Sequence, residues 1–277
     1  MNAIELKNIN KSYDGFAIRD LNLTLPKGTI MGLVGKNGAG KSTVIKMILD
    51  IVKSESGSVS VMGKDCRLAD KEDIGVVMDE TGFPGCLTPM QVEKIMKNIY
   101  KRWDSAAFKR YIRHFDLPEN KMFEEFSKGM KMKLCIAVAM SHQPKLLVLD
   151  EATSGLDPVV RDEILDIFTE FTRDEEHSIL ISSHIVSDLE KICDYIAFIR
   201  DGKLMLCEEK DRITEKYGII RCTEEELYEY TSDAVIGVRK SPYGIEAVVD
   251  KNMMPAGIET GRVGIEDLFI FMSREAV

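Results

Sequence analysis

No run of apolar residues in the 277-residue sequence approaches the ~20 needed to cross a bilayer; the best stretches, Leu134 to Met140 and Leu146 to Leu149, are far too short. The chain is not expected to span a membrane alone. Its N-terminus, MNAIELKNINKSY, lacks a basic segment followed by an apolar one, so no signal peptide is read there and a cytoplasmic location is expected. The cysteines, Cys66, Cys86, Cys135, Cys193, Cys207 and Cys222, form no C-x-x-C pair and do not alternate with histidine at metal-ligand spacing. Reduced, buried thiols are the expectation. Basic clusters are missing too. With a formal net charge of −9 the chain would repel phosphate backbones, which excludes nucleic acid as an expected partner. There is no low-complexity tract and no internal repeat. A composition of 44% hydrophobic and 30% charged residues is that of an ordinary globular protein, large enough to bury a core without disulfides.

What is present is an alternation of two periodicities. Short aliphatic or β-branched runs at Ile4 to Leu6, Leu21 to Leu25, Ile30 to Val34, Ile74 to Val77, Leu146 to Leu149, Ile179 to Ile181 and Ile196 to Ile199 read as strands. Several are apolar on both faces, as in a sheet covered on both sides. Helical patterns lie between them, at Ser42 to Ile51, Pro89 to Tyr100, Ser105 to Phe115, Gly129 to Ser141, Val159 to Arg173 and Ile185 to Cys193. The fold class is α/β. The stretch from about 85 to 143 holds helical patterns and no convincing strand, which predicts a helical subdomain inserted into the core. Beyond about residue 210 an acidic helix (Thr223 to Tyr230), a hairpin turning at Ser241 to Gly244 and an amphipathic segment (Ile265 to Met272) predict a small C-terminal lobe over 211–277.

The chemistry begins after the strand Ile30 to Val34. Gly35-Lys36-Asn37-Gly38-Ala39-Gly40-Lys41-Ser42-Thr43 fits G-x-x-x-x-G-K-[ST] and leads into a helical pattern. Glycines let the backbone wrap closely round phosphate oxygens, so that consecutive N–H groups and the positive end of the helix face the anion. Lys41 is placed to reach the terminal phosphates. The Ser42 hydroxyl suits magnesium, a hard cation that keeps oxygen ligands. Such loops serve kinases, GTPases and many ATPases, so this motif fixes a nucleotide and no function.

Leu146-Leu147-Val148-Leu149-Asp150-Glu151 is an apolar strand ending in two carboxylates, where α/β sheets place ligand groups. Asp150 is the candidate for the magnesium shell and Glu151 for the general base or the orienter of attacking water. Alone, an acidic strand end is as readily a solvated cap.

Together with the motifs around them, these residues resemble the nucleotide-binding domains of ATP-binding cassette proteins over about residues 1–210. The resemblance implies a P-loop NTPase core of the RecA-like kind with an antiparallel β subdomain and the helical subdomain. It implies that Tyr13 stacks on adenine. Glu125-Phe126-Ser127-Lys128-Gly129-Met130 resembles the family's signature loop, in which Ser127 and the Gly129 N–H face the γ-phosphate bound by an opposite subunit; Lys128 and Met130 depart from the commonest L-S-G-G-Q. Ser154-Gly155-Leu156-Asp157 resembles the loop that communicates across the dimer, and Ser182-Ser183-His184 the switch histidine. Where the family has a glutamine after the strand Ile74 to Val77, this sequence reads Met78-Asp79-Glu80; Asp79 takes that place, near magnesium, with Glu80 the alternative.

The resemblance thus implies an ATPase with ATP and magnesium as ligands. Two copies, or this chain and a related cassette, would close around two ATP and drive an integral membrane subunit supplied in trans, at the inner face of the membrane. An exporter of peptide or drug-like substrates is the expected kind. A soluble cassette ATPase with an assembly or mechanical role is the alternative.

Overall fold

The computed structural model describes residues 1–79, 82–230, 234–241, 244–255 and 257–273. The chain opens with a long hairpin, β1 (Asn2–Tyr13) and β2 (Phe16–Pro26), followed by β3 (Ile30–Val34) and α1 (Lys41–Ile48). Next come β4 (Ser56–Val61), β5 (Lys64–Asp65) and β6 (Ile74–Val77). Between residues 85 and 143 lie three α-helices, α2 (Pro89–Ile99), α3 (Ser105–His114) and α4 (Lys128–Met140), and no strand. The alternating pattern resumes with β7 (Leu146–Asp150), α5 (Pro158–Phe171), β8 (Ser178–Ser183), α6 (Val186–Ile192), β9 (Tyr195–Arg200) and β10 (Lys203–Glu209).

The central sheet has the order β10-β9-β3-β8-β7-β6, parallel except for the antiparallel β10 edge. Every residue of β3, β7 and β8 is buried. Successive side chains take opposite sides: Leu147 and Leu149 pack with α4 and α5, Leu146 and Val148 with α1 and the hairpin. Because β8 lies between β3 and β7, with Val34 level with Ser183 and Asp150 level with Ser182, three strand ends open onto one spot. The second sheet, β2-β1-β4-β5, is antiparallel and covers the α1 face.

The C-terminal part holds α7 (Lys210–Lys216), β11 (Tyr217–Cys222), α8 (Glu224–Glu229), β12 (Val235–Ser241), β13 (Gly244–Asp250), β14 (Gly261–Arg262) and α9 (Ile265–Met272). Its antiparallel sheet runs β12-β13-β11-β14. One face shares a core with the rest of the molecule, since Val248 joins Phe271, Leu268 and Ile265 of α9 to Leu189 and Phe198. In the sequence-predicted hairpin Ser241 pairs with Gly244, while residues 242 and 243 of its turn lie outside the described residues.

Three expectations need correction. Helix α1 stops at Ile48 instead of running to Ile51: Asp50 takes φ +59° and Lys46 O accepts the amides of Ile51 and Val52, which ends the helix in a left-handed turn. Strands β4, β5, β10, β11 and β14 have no counterpart in the predicted runs. Of the six free cysteines only Cys66, Cys135 and Cys193 are buried; Cys86 is exposed, and Cys207 and Cys222 are half-buried. Among the described residues no helix is long and apolar enough to cross a membrane.

Candidate active site

The turn after β3 is shaped by glycines that no other residue replaces without strain. A Cβ on Gly35 would stand 2.6 Å from Ile199 O. Gly40, at φ +112°, would press one to 2.7 Å from Ile18 Cδ1 and 2.9 Å from Phe16 Cζ. Within the turn, Ala39 N donates to Lys36 O at 3.0 Å and Ala39 O accepts from Gly202 N at 3.0 Å. Asn37 and Gly38 are exposed at its tip, and Ser42 and Thr43 stand on the first turn of α1, Ser42 exposed. Lys41 is buried. Its Nζ donates to Gly35 O at 2.7 Å and lies 3.2 Å from Glu151 Oε1.

Asp150, the last residue of β7, is buried, and its Oδ1 accepts the Ser182 hydroxyl at 2.6 Å. The Glu151 amide lies 3.1 Å from both the carbonyl and the hydroxyl oxygen of Ser182. Glu151 itself adopts φ +53°, a conformation costly for a side-chain-bearing residue, which turns its carboxylate from the strand toward Lys41. Glu151 Oε2 is 2.7 Å from His184 Nδ1. With the carboxylate ionised, Nδ1 carries the proton and Nε2 is left to face a ligand. Glu151 Oε1 is buried and makes an ion pair, but no aligned hydrogen bond, with Lys41. The structure therefore brings Lys41, Asp150, Glu151 and His184 together.

Ser127 and Gly129 belong to a different group. Ser127 caps α4, its hydroxyl accepting from Met130 N at 3.3 Å, and is exposed, while Phe126 beside it is buried. The Cβ position of Gly129 is within 4 Å of Leu156 and Val160, and Lys128 Nζ crosses the Cβ position of Gly155 at 2.8 Å. Asp157 caps α5, its Oδ1 accepting from the amides of Val159 and Val160 at 3.1 and 3.0 Å. Among the described residues no hydrogen bond or ion pair joins Ser127, Gly129 or Asp157 to the phosphate loop.

Tyr13 ends β1, half exposed, and lines a cleft of about 620 Å³ with Phe16, Arg19, Lys203 and Met205. Lys11 Nζ stands 5.4 Å from its ring centroid. Phe16, against Gly40, joins this cleft to the phosphate loop. Asp79 is exposed, two residues past β6; Glu80, its alternative, lies outside the described residues. Sequence reasoning missed Ser182, which bonds the Asp150 carboxylate and the Glu151 amide, and Arg161, whose Nη2 donates to Leu156 O at 3.0 Å and whose Nε lies 3.7 Å from Asp188 of α6. Ser182, two residues before His184, was visible as a residue, but its partner is fixed only by the β7·β8 register.

With this geometry in view, the likenesses are specific. The family profile described as ABC transporter matches residues 18–154. The ABC transporter ATP-binding protein YtrB of Bacillus subtilis is 32% identical over 217 residues, 77% of this chain and 74% of that protein. The lantibiotic transport ATP-binding protein SrtF of Streptococcus pyogenes is 35% identical over 213 residues, 75% of this chain and 91% of that protein. A solved ATP-binding subunit of an ABC transporter superposes with a TM-score of 0.70 at 26% identity, covering 77% of this chain and 92% of that one.

Proposed function

The chain belongs to the ABC transporter ATP-binding family, and from that premise we propose how its residues hydrolyse ATP and what the hydrolysis drives. The observation that carries the reading is the Glu151 carboxylate, held between Lys41 at 3.2 Å and His184 at 2.7 Å. Lys41 stands in a glycine cradle lined by backbone N–H groups, where incoming phosphates compete with Glu151 and the Gly35 carbonyl for its ammonium. Once Lys41 turns to the anion, the carboxylate is free to take a proton from water. His184 keeps that carboxylate aimed through Nδ1 and presents Nε2 to the terminal phosphate.

The donor set also fits magnesium. Ser42 and Asp150 offer only hard oxygens, the ligands that magnesium keeps, and phosphates could supply others. Bound there, the ion would neutralise phosphate charge. Ser182 fixes Asp150 in place for it.

Ser127 and Gly129, with no hydrogen bond or ion pair to their own phosphate loop among the described residues, stand at the start of α4, where the positive end of the helix dipole attracts an anion. A second copy, or a related cassette, completes each site with these residues, and two ATP are enclosed between the pair. Tyr13 stacks on adenine at the flank. The closed pair drives an integral membrane subunit at the cytoplasmic face, through the helical segment next to Asp79. The likeness to a lantibiotic transport protein supports an exporter of peptide or drug-like substrates.

Glu151→Gln and Ser127→Arg test this. The first is expected to bind ATP, lose turnover by about 10²- to 10⁴-fold and accumulate as a dimer on gel filtration. The second should bind ATP as a monomer and fail to dimerise. Near-normal turnover of Glu151→Gln removes Glu151 from its role; persistence of the Ser127→Arg dimer removes the shared site.

A further inference from the structure

Helix α9 ends against the phosphate loop. The carbonyls of its last turn are among those a helix C-terminus leaves without intrahelical partners. Arg200 Nη1 donates to Met272 O at 2.6 Å, and Lys36 Nζ donates to Ser273 O at 3.2 Å. Lys36 is the second residue of the glycine loop. Arg200 closes β9, the strand paired with β3. Both cations also complement the negative end of the helix.

The rest of α9 is seated firmly. Ile265, Leu268 and Phe271 are buried, and Phe269 stacks on Phe198 of β9 with ring centroids 5.7 Å apart. At the other end Glu190 of α6, the helix after His184, accepts from Ile265 N at 2.7 Å. Helix α9 is therefore braced between α6 and the phosphate loop.

The backbone of Lys36 is a fulcrum of that loop, because its carbonyl accepts Ala39 N at 3.0 Å and lies 3.5 Å from Lys41 Nζ. We infer that Lys36 is a positioning residue: by gripping the end of α9 it holds the phosphate loop in its nucleotide-receiving shape, so that the C-terminal lobe sets nucleotide affinity. This rests on the reading that the loop binds ATP. A loop already ordered loses less freedom when it binds, so the grip raises affinity. Linkage requires the converse, that bound nucleotide steadies α9.

The test is a double-mutant cycle read by binding of a non-hydrolysable ATP analogue to the full chain. Lys36→Met and Phe269→Ala are each expected to weaken binding about 3- to 10-fold, the loss of one hydrogen bond's net contribution. Combined, they should weaken it no further than the stronger single change. Lys36→Arg, which keeps a donor, should recover most of the affinity. In wild type, saturating analogue should slow hydrogen exchange of the amides of Ile265–Met272. Should Phe269→Ala fail to fold by circular dichroism, Glu190→Ala takes its place.

Additive losses would mean that Lys36 acts on the phosphates by its charge alone, and they overturn the inference, as does unchanged exchange in α9. A wild-type chain that binds no analogue removes the functional reading, and this inference with it. A chain that binds and shows additive losses removes the inference alone.

Discussion

Ser182→Ala removes a hydroxyl that touches both acidic residues, Asp150 at its carboxylate and Glu151 at its backbone amide. The hydroxyl donates to Asp150 Oδ1 at 2.6 Å and accepts from the Glu151 amide at 3.1 Å. Removing it strips a buried carboxylate of a charge-assisted hydrogen bond, a loss of about 1.5–3 kcal/mol in stability. Glu151 suffers less, because its amide keeps the Ser182 carbonyl at 3.1 Å. The expected signature is therefore selective. If Asp150 serves magnesium, its orientation is what fails, and the magnesium needed for half-maximal ATPase at saturating ATP should rise about 10- to 100-fold. The maximal rate should fall far less than in Glu151→Gln. The assay is phosphate release against free magnesium, with thermal unfolding followed in parallel. Ser183→Ala is the control, since that hydroxyl accepts only the nearby Ile185 amide at 3.0 Å among its described contacts. A magnesium curve that moves less than twofold in Ser182→Ala, or as far in the control, refutes the reasoning.

Gly40→Ala and Gly38→Ala should separate within one loop. Both have positive φ, but only the Gly40 Cβ collides with neighbours, so Gly40→Ala should lose nucleotide binding and about 1–3 kcal/mol of stability while Gly38→Ala keeps binding; equal effects in titration and melting would contradict this. Burial holds the His142 imidazole below its ordinary pKa, despite the Ile74 carbonyl 3.2 Å from Nε2. As pH falls below about 6.5 the unfolded chain takes up a proton that the folded one refuses, so stability drops by at most about 1.4 kcal/mol per pH unit until the lowered folded pKa is reached. Urea unfolding at pH 7.5 and 5.5 should show a smaller drop in His142→Gln; equal drops would exclude His142 as the cause. Maleimide at pH 7.5 should modify exposed Cys86 first and leave Cys135, whose thiol burial pushes up to about 12, unreacted in the native protein. Peptide mapping that finds Cys135 labelled as fast would reject the placement of α4 in the core.

What the sequence made legible is what local chemistry decides. Strands β3, β7 and β8 are apolar on both faces, and a residue run with that property has few places to go except the middle of a covered sheet. The amphipathic segment Ile265 to Met272 coincides with helix α9, because its apolar residues are spaced to bury one face. Strand β4, by contrast, reads SGSVSV, half of it serine, and exists because Ile4 to Lys7 pair with Val61 to Ser58. Nothing within those six residues announces their partner. Strand β10 is a different case: its apolar run Leu204 to Cys207 is as long as the run in β7 and was legible in KLMLCEE, yet it is absent from the predicted strands.

The same division runs through the site. Lys41 and Gly40 follow from an eight-residue pattern, because the glycine backbone and the helix start are neighbours in sequence. Ser182 reaches Asp150 across 32 residues, and Lys36 reaches Ser273 across 237, so their roles come from strand order and lobe packing. Glu151 stands between the two cases. Its position after an apolar strand was readable, whereas its left-handed backbone at φ +53° was not, since glutamate has no preference for that region. The strain is sustained because the Ser182 oxygens, Lys41 and His184 hold the residue from three sides. A carboxylate so held is already turned out of the strand before any phosphate arrives, and only the Lys41 contact has to break for it to meet water.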